Sequence, residues 1–269
     1  GRYATNSNHF KEIYAMYKES LEKNLREAKE ARSTLKHLPG IKVGPRNPIK
    51  KGLYLTNYAN CLLNRQIDIF DDSLLLLEKG RIQSACVLSR GMIETHAFAR
   101  LMNKEIEKIL NSQEGFESVD ASIDMLLTFI NSSRFKEKDQ KNMKKGLFDP
   151  NDYMFTDEAR YRLEHMLAGS KHVMDALRDL YRDELKETGM KESQFEQLYD
   201  VLSEWVHPSQ KSIYHYYVPE THTVPTSVGD IHMNVSASLH CARALHFIMD
   251  TQRQHQWSYQ LAQEIDRRS

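Results

Sequence analysis

Apolar positions along this chain recur at helical spacing. The first such run, about Asn8 to His37, sets Phe10, Tyr14, Tyr17, Leu21, Leu25, Ala28 and Leu35 on a Lys- and Glu-rich background, one narrow stripe on one helix face. A stripe of that width packs on the body of its own chain or on a partner copy. Leu38-Pro39-Gly40 stops the run, and Ile41 to Lys51 reads as a linker carrying Pro45, Pro48 and the cations Lys42, Arg46, Lys50 and Lys51. The linker is either simply solvated or a phosphate contact.

A second helical pattern covers about Gly52 to Glu78, ending at Lys79-Gly80 with a cation in the last turn and a glycine beyond it. The following pattern starts almost at once, which predicts an antiparallel neighbour. It runs from about Arg81 to Asn103 and is apolar on nearly every side, so it belongs in a core. Arg90 and Glu94 interrupt it at i,i+4, on one face with Val87, Ala97, Phe98 and Leu101. Charges in that setting must be paired: the two are a buried structural ion pair or a preorganised polar pocket.

Further on, Ser118 to Ile130 predicts a helix, and a tract with Arg134, Lys136, Lys138, Lys141, Lys144 and Lys145 reads as a solvated face or a phosphate patch. After the turn Asp149-Pro150-Asn151-Asp152, a helical region spans about Thr156 to Glu187, with Arg160, Arg162, His165 and His172 as ordinary polar members, closed by Thr188-Gly189-Met190. The next helix has Phe195, Leu198, Leu202 and Trp205 on one side, with Tyr199, Ser203 and His207 at i, i+4 and i+8 along its edge, about 40° apart per step. Because a residue before proline leaves helical backbone, the helix is expected to end at His207, ahead of Pro208. A histidine there either caps the last carbonyls or serves a site. Tyr214, His215, Tyr216 and Tyr217 follow as an aromatic group suited to a pocket wall, a stacking platform or a core edge. Pro219 to Gly229 reads as a loop, and a last long helix runs from Asp230 to about Gln263.

These patterns give an all-α, multi-helix bundle with a long N-terminal and a long C-terminal helix. The expected division is 1–51, an N-terminal amphipathic helix with its basic linker, and 52–269, the helical domain. Lys+Arg and Asp+Glu each total 37, so whole-chain charge makes no case for nucleic acid or an anionic membrane. The absence of a long apolar run predicts a soluble protein without membrane partners. Cys61, Cys86 and Cys241 show neither disulfide nor zinc spacing, which fits a reducing, cytoplasmic setting. The spacings of His232, His240, His246 and His255 do not match helical metal sites, and no phosphate loop or nucleophile motif occurs, so neither metal nor cofactor is expected.

At Arg90-x3-Glu94 and Tyr199-x3-Ser203-x3-His207-Pro208 the chain resembles bacterial helical proteins of unknown function that carry an Arg-x3-Glu helix and, about a hundred residues later, a Ser-x3-His segment. That group is similar to the HEPN superfamily, many of whose members are dimeric RNases of toxin and phage-defence systems. The resemblance spans about Leu74 to Tyr217. It implies RNA binding or cleavage, with His207 as acid/base, Arg90 and Glu94 beside it, and Tyr199, Ser203, Tyr214, His215 and Tyr217 as ligand contacts. The superfamily's Arg-x4-6-His spacing does not occur at His207; it occurs at Arg2/His9, Arg32/His37, Arg90/His96 and Arg160/His165. The competing readings are a non-enzymatic helical module that forms homo-oligomers, and a pocket for a small anion such as a nucleotide. Whether the chain is an enzyme stays open at this level.

Overall fold

The computed structural model describes residues 2–41, 50–131, 173–216 and 228–269. The expected cationic tract, the 149–152 turn, the 156–172 stretch, most of the basic linker, Tyr217 and most of the 219–229 loop lie outside the described residues. The fold is all-α, a multi-helix bundle: α1 (Arg2–Ser33), α2 (Gly52–Glu78), α3 (Ile82–Ser112), α4 (Gly115–Ile130), α5 (Val173–Thr188), α6 (Gln194–Glu204), α7 (Gln210–Tyr214), α8 (Val228–Leu245), a 3-10 helix (His246–Asp250) and α9 (Thr251–Arg268).

Most predicted helices are present, with shifted ends. α1 stops at Ser33, ahead of the proline signal, because Ser33 and Thr34 turn their hydroxyls back onto the carbonyls of Glu30 and Ala31. α3 runs on to Ser112, since Ile106 and Leu110 extend the buried stripe of Met102. The Lys79-Gly80 stop is as expected: Gly80 takes a left-handed φ of 74°, and the Arg81 amide reaches back to the Leu76 carbonyl at 2.8 Å. The predicted last helix is interrupted at His246–Asp250 by tighter 3-10 winding.

The chain divides into two compact units. The first comprises Gly1–His37, Leu63–His96 and Tyr181–Gln252. In it α2 and α3 run antiparallel, as their short connection predicts: Arg65 bonds Thr95, Gln66 bonds the Met92 carbonyl, and Ile69 faces Gly91. A Cβ at Gly91 would lie 3.0 Å from the Ile69 side chain, so the glycine permits the close approach. Ile67, Phe70, Met92 and Ile93 are fully buried, each stabilising by about 1.5–3 kcal/mol relative to exposure. α1 packs along α8 and the 3-10 helix. Arg32 also makes a two-pronged pair with Asp71 at 2.8 and 3.0 Å, and Lys29 reaches Glu78 at 3.0 Å. Cys86 and Cys241 are buried free thiols, Cys86 donating to the Ala237 carbonyl of α8.

The second unit comprises Leu38–Leu62, Ala97–Leu180 and Arg253–Ser269. Gly52 starts α2 against α9: its amide donates to Asp266 at 2.8 Å, and a Cβ there would collide with the Ala262 carbonyl at 2.2 Å. Asn103, Ser258 and Gln254 form a small hydrogen-bonded group, and His255 meets Asn60 at 2.7 Å, with burial lowering its pKa. Asp179 of α5 collects Arg100 at 2.7 Å and Lys104 at 3.0 Å.

Candidate functional site

The polar stretches expected from the sequence meet within the first unit, on α3 and α6. α6 is held in place at its start. Ser193 accepts from the Glu196 amide at 3.0 Å and donates to Glu184, and the same carboxylate takes the Phe195 amide at 3.3 Å. Leu198, Tyr199 and Leu202 are buried, which fixes the helix's rotation and turns Tyr199 and Ser203 towards α3.

There the Arg90 Nε sits 2.9 Å from Glu94 Oε1, and the Tyr199 hydroxyl donates to the same oxygen at 3.0 Å. The guanidinium also lies 5.5 Å from the centre of the Tyr199 ring, within cation–π range. The Tyr199 phenol is pushed up to about 12, first by burial and then by the Glu94 carboxylate, so it stays protonated and donating. Arg90 and Glu94 retain 25% and 22% side-chain exposure, so the pair is partly buried and open on one side.

Engaging Arg90 through Nε leaves its outer edge lightly used. Nη1 reaches Ser203 Oγ at 3.5 Å, the far limit of a hydrogen bond, and Nη2 has no partner among the described residues. The Tyr181 hydroxyl of α5 is buried and lacks a hydrogen-bond partner among the described residues. Burial raises its pKa, and then the nearby Tyr199, Asp200, Glu196 and Glu94 raise it further. Sequence reasoning missed Tyr181; its place beside the cluster comes from tertiary packing, and no local spacing signals it.

His207 is not part of this arrangement. α6 ends at Glu204: the Trp205 and Val206 amides bond back to Leu202 and Ser203, three residues earlier, and this tightened turn takes position 207 off the Tyr199–Ser203 stripe. The His207 carbonyl accepts from the Ser212 hydroxyl, while the imidazole is exposed and makes no bond among the described residues. The His215 ring lies 4.4 Å from that of Trp205 at a tilt of 50°, and Tyr214 stands 65% exposed on α7. Thus Arg90, Glu94, Tyr199 and Ser203 come together, and His207, Tyr214 and His215 have other surroundings.

A cavity of about 520 Å³ also lies in the first unit, reached from the side of α6 that carries Gln194, Gln197 and Val201. On a 3.6-residue helix those positions oppose Tyr199 and Ser203, so the cavity and the Arg90 cluster use opposite faces of α6. Among the described residues, no helix is long and apolar enough to cross a membrane, and no group of His, Cys, Asp and Glu could hold a metal ion.

The molecule is therefore an all-α protein with a half-buried arginine–carboxylate–tyrosine cluster between two helices. It belongs to the family of unknown function DUF5677, whose model matches residues 56–222, more than half of the 269. The matched span includes Arg90, Glu94, Tyr199, Ser203 and His207. No curated protein and no solved structure matches the chain.

Proposed function

We propose that the protein is a HEPN-like helical module that binds single-stranded RNA without cutting it. The observation that carries the reading is the Arg90 guanidinium, fixed through Nε by Glu94, with Nη1 only at the far limit of a hydrogen bond to Ser203 and Nη2 unspent among the described residues. A carboxylate anchor behind an arginine orients the planar fork in advance, so a phosphodiester oxygen meets donors that need not reorganise. Tyr214 and Tyr216, 65% and 58% exposed, supply faces on which unpaired bases stack.

Binding is favoured over cleavage because the acid/base candidate lies outside the cluster. His207 stands on the turn after α6, with no hydrogen bond to Arg90, Glu94 or Ser203 among the described residues. Incubating the protein with labelled single-stranded RNA tests this. Retention of intact RNA, equal for wild type and His207→Ala, is the expected result. Cleavage that His207→Ala abolishes overturns the non-catalytic reading and restores an RNase of the toxin or defence kind.

A second reading, homo-oligomerisation through α1, has its own observation. The first half of α1 leaves Phe10 and Met16 exposed at 42% and 67%, whereas Ala28 in its second half is fully buried. Light scattering after chromatography decides it: a dimer that Phe10→Ser with Met16→Ser converts to monomer supports the reading, and a monomeric wild type rejects it.

A further inference from the structure

We propose that the cavity walled by α1, α6, α8 and the 3-10 helix binds a small organic monocarboxylate whose body is an apolar ring. This goes beyond RNA binding and uses none of the residues assigned to it. The cavity's volume, about 520 Å³, falls among small-molecule sites, which run from ~300 to ~1,000 Å³.

The floor is apolar. Leu198 and Phe247 are buried, and Phe195 and Val201 are half-buried beside them. The Phe195 and Phe247 rings lie 5.2 Å apart at 60°, and His96 continues the row 5.0 Å from Phe247. A tilted aromatic row of this kind packs a further ring edge-on or offset, and that contact supplies the ligand's apolar half.

The polar groups around that floor are mostly spent within the protein. The Asn24 amide nitrogen donates to the Ser20 carbonyl at 2.7 Å, that of Gln197 donates to Glu192 at 2.9 Å, and His246 meets Glu27 at 3.2 Å. His240 and Asp250 each have an interaction of their own. Two lining groups are left over. Arg243 of α8 and Gln194 at the start of α6 are exposed, and neither makes a hydrogen bond or ion pair among the described residues. What the cavity offers a ligand is therefore one planar guanidinium and one amide over an aromatic floor. A single carboxylate matches the guanidinium fork two-pronged, the Gln194 amide is a further donor to it, and the ring attached to it covers Phe195 and Phe247. A phosphate dianion finds no second unspent cation among the described lining residues and leaves the floor uncovered; a neutral ring forgoes the charge-assisted bonds.

Calorimetric titration of the full chain with phenylacetate, cinnamate and cyclohexylacetate tests the assignment, with the primary amide of each acid, acetate and inorganic phosphate as counter-probes. At least one of the three acids is expected to bind saturably. Converting that acid to its amide is expected to weaken binding about tenfold or more, as is Arg243→Ala, which removes an exposed side chain and leaves the core intact. Acetate, which keeps the charge and lacks the ring, is expected to bind more weakly than the acid by a similar factor. The proposal is overturned if none of the three acids binds at about 10 mM, if the amide or acetate binds as well as the acid, if phosphate binds more tightly than any acid, or if Arg243→Ala binds like wild type. Retention of single-stranded RNA by Arg243→Ala at the wild-type level is the expected companion result. Its loss in that variant also overturns the proposal, by assigning the guanidinium to the nucleic acid.

Discussion

Two acid–base clusters are built on α3, one around Arg90 in the first unit and one around Arg100 in the second. At the second, a single buried carboxylate, Asp179 at 11% side-chain exposure, is shared between Arg100 and Lys104. At the first, one cation faces one carboxylate on its own helix, the carboxylate is shared with a tyrosine, and the guanidinium keeps donors to spare. The Arg90–Glu94 pair, at 25% and 22% side-chain exposure, is more open than Arg100 and Asp179, at 16% and 11%, although Lys104 stands at 41%. On the proposed function the difference separates a structural ion pair from a binding group: a charge spent within the fold is costly to strip of its partner, and one held from behind keeps donors for a ligand.

The largest expected effect breaks the structural side of that contrast. Asp179→Ala strips Arg100 and Lys104 of their buried acid and should cost about 3 kcal/mol, read from the urea midpoint at unchanged slope. Next, Ser193→Ala removes the cap that holds α6 and should cost about 1 kcal/mol. Arg90→Ala should cost less than about 1 kcal/mol, because the group is open to solvent. If Arg90→Ala destabilises as much as Asp179→Ala, the two clusters are alike and the contrast fails.

A different kind of effect, confined to alkaline conditions, is a pH dependence. Tyr199 has its folded pKa raised to about 12, above the ordinary phenol value near 10, so the folded state holds a proton that the unfolded chain has lost between them. Its contribution is fully present below pH ~10 and is lost as the pH rises through ~12. Tyr199→Phe should therefore lessen the fall in stability across that window, with Tyr181 accounting for part of what remains. An unchanged slope in Tyr199→Phe counts against the raised phenol pKa, whose first cause is burial and whose second is the Glu94 carboxylate.

Much of this was legible in the sequence where the determinant is local. The i,i+4 spacing of Arg90 and Glu94 puts both on one face, and the 40° stripe correctly joins Tyr199 to Ser203. The same stripe, extended to His207, fails because the chain leaves regular helix at Trp205, two residues before the turn that Pro208 was expected to force. Tyr181 and Asp179 carry no local signal, since each acts through partners distant in sequence. Arg243, between His240 and His246, reads in the sequence as an ordinary solvated cation, and only its neighbours in the fold set it beside the cavity.

The most direct test measures fluorescence anisotropy of a labelled single-stranded RNA against wild type and Arg90→Ala at matched salt, each checked for a native urea transition. The account predicts that wild type binds, and that Arg90→Ala weakens binding about tenfold, some 1.4 kcal/mol, with its fold intact. Equal binding by the two proteins, or none by wild type, contradicts it.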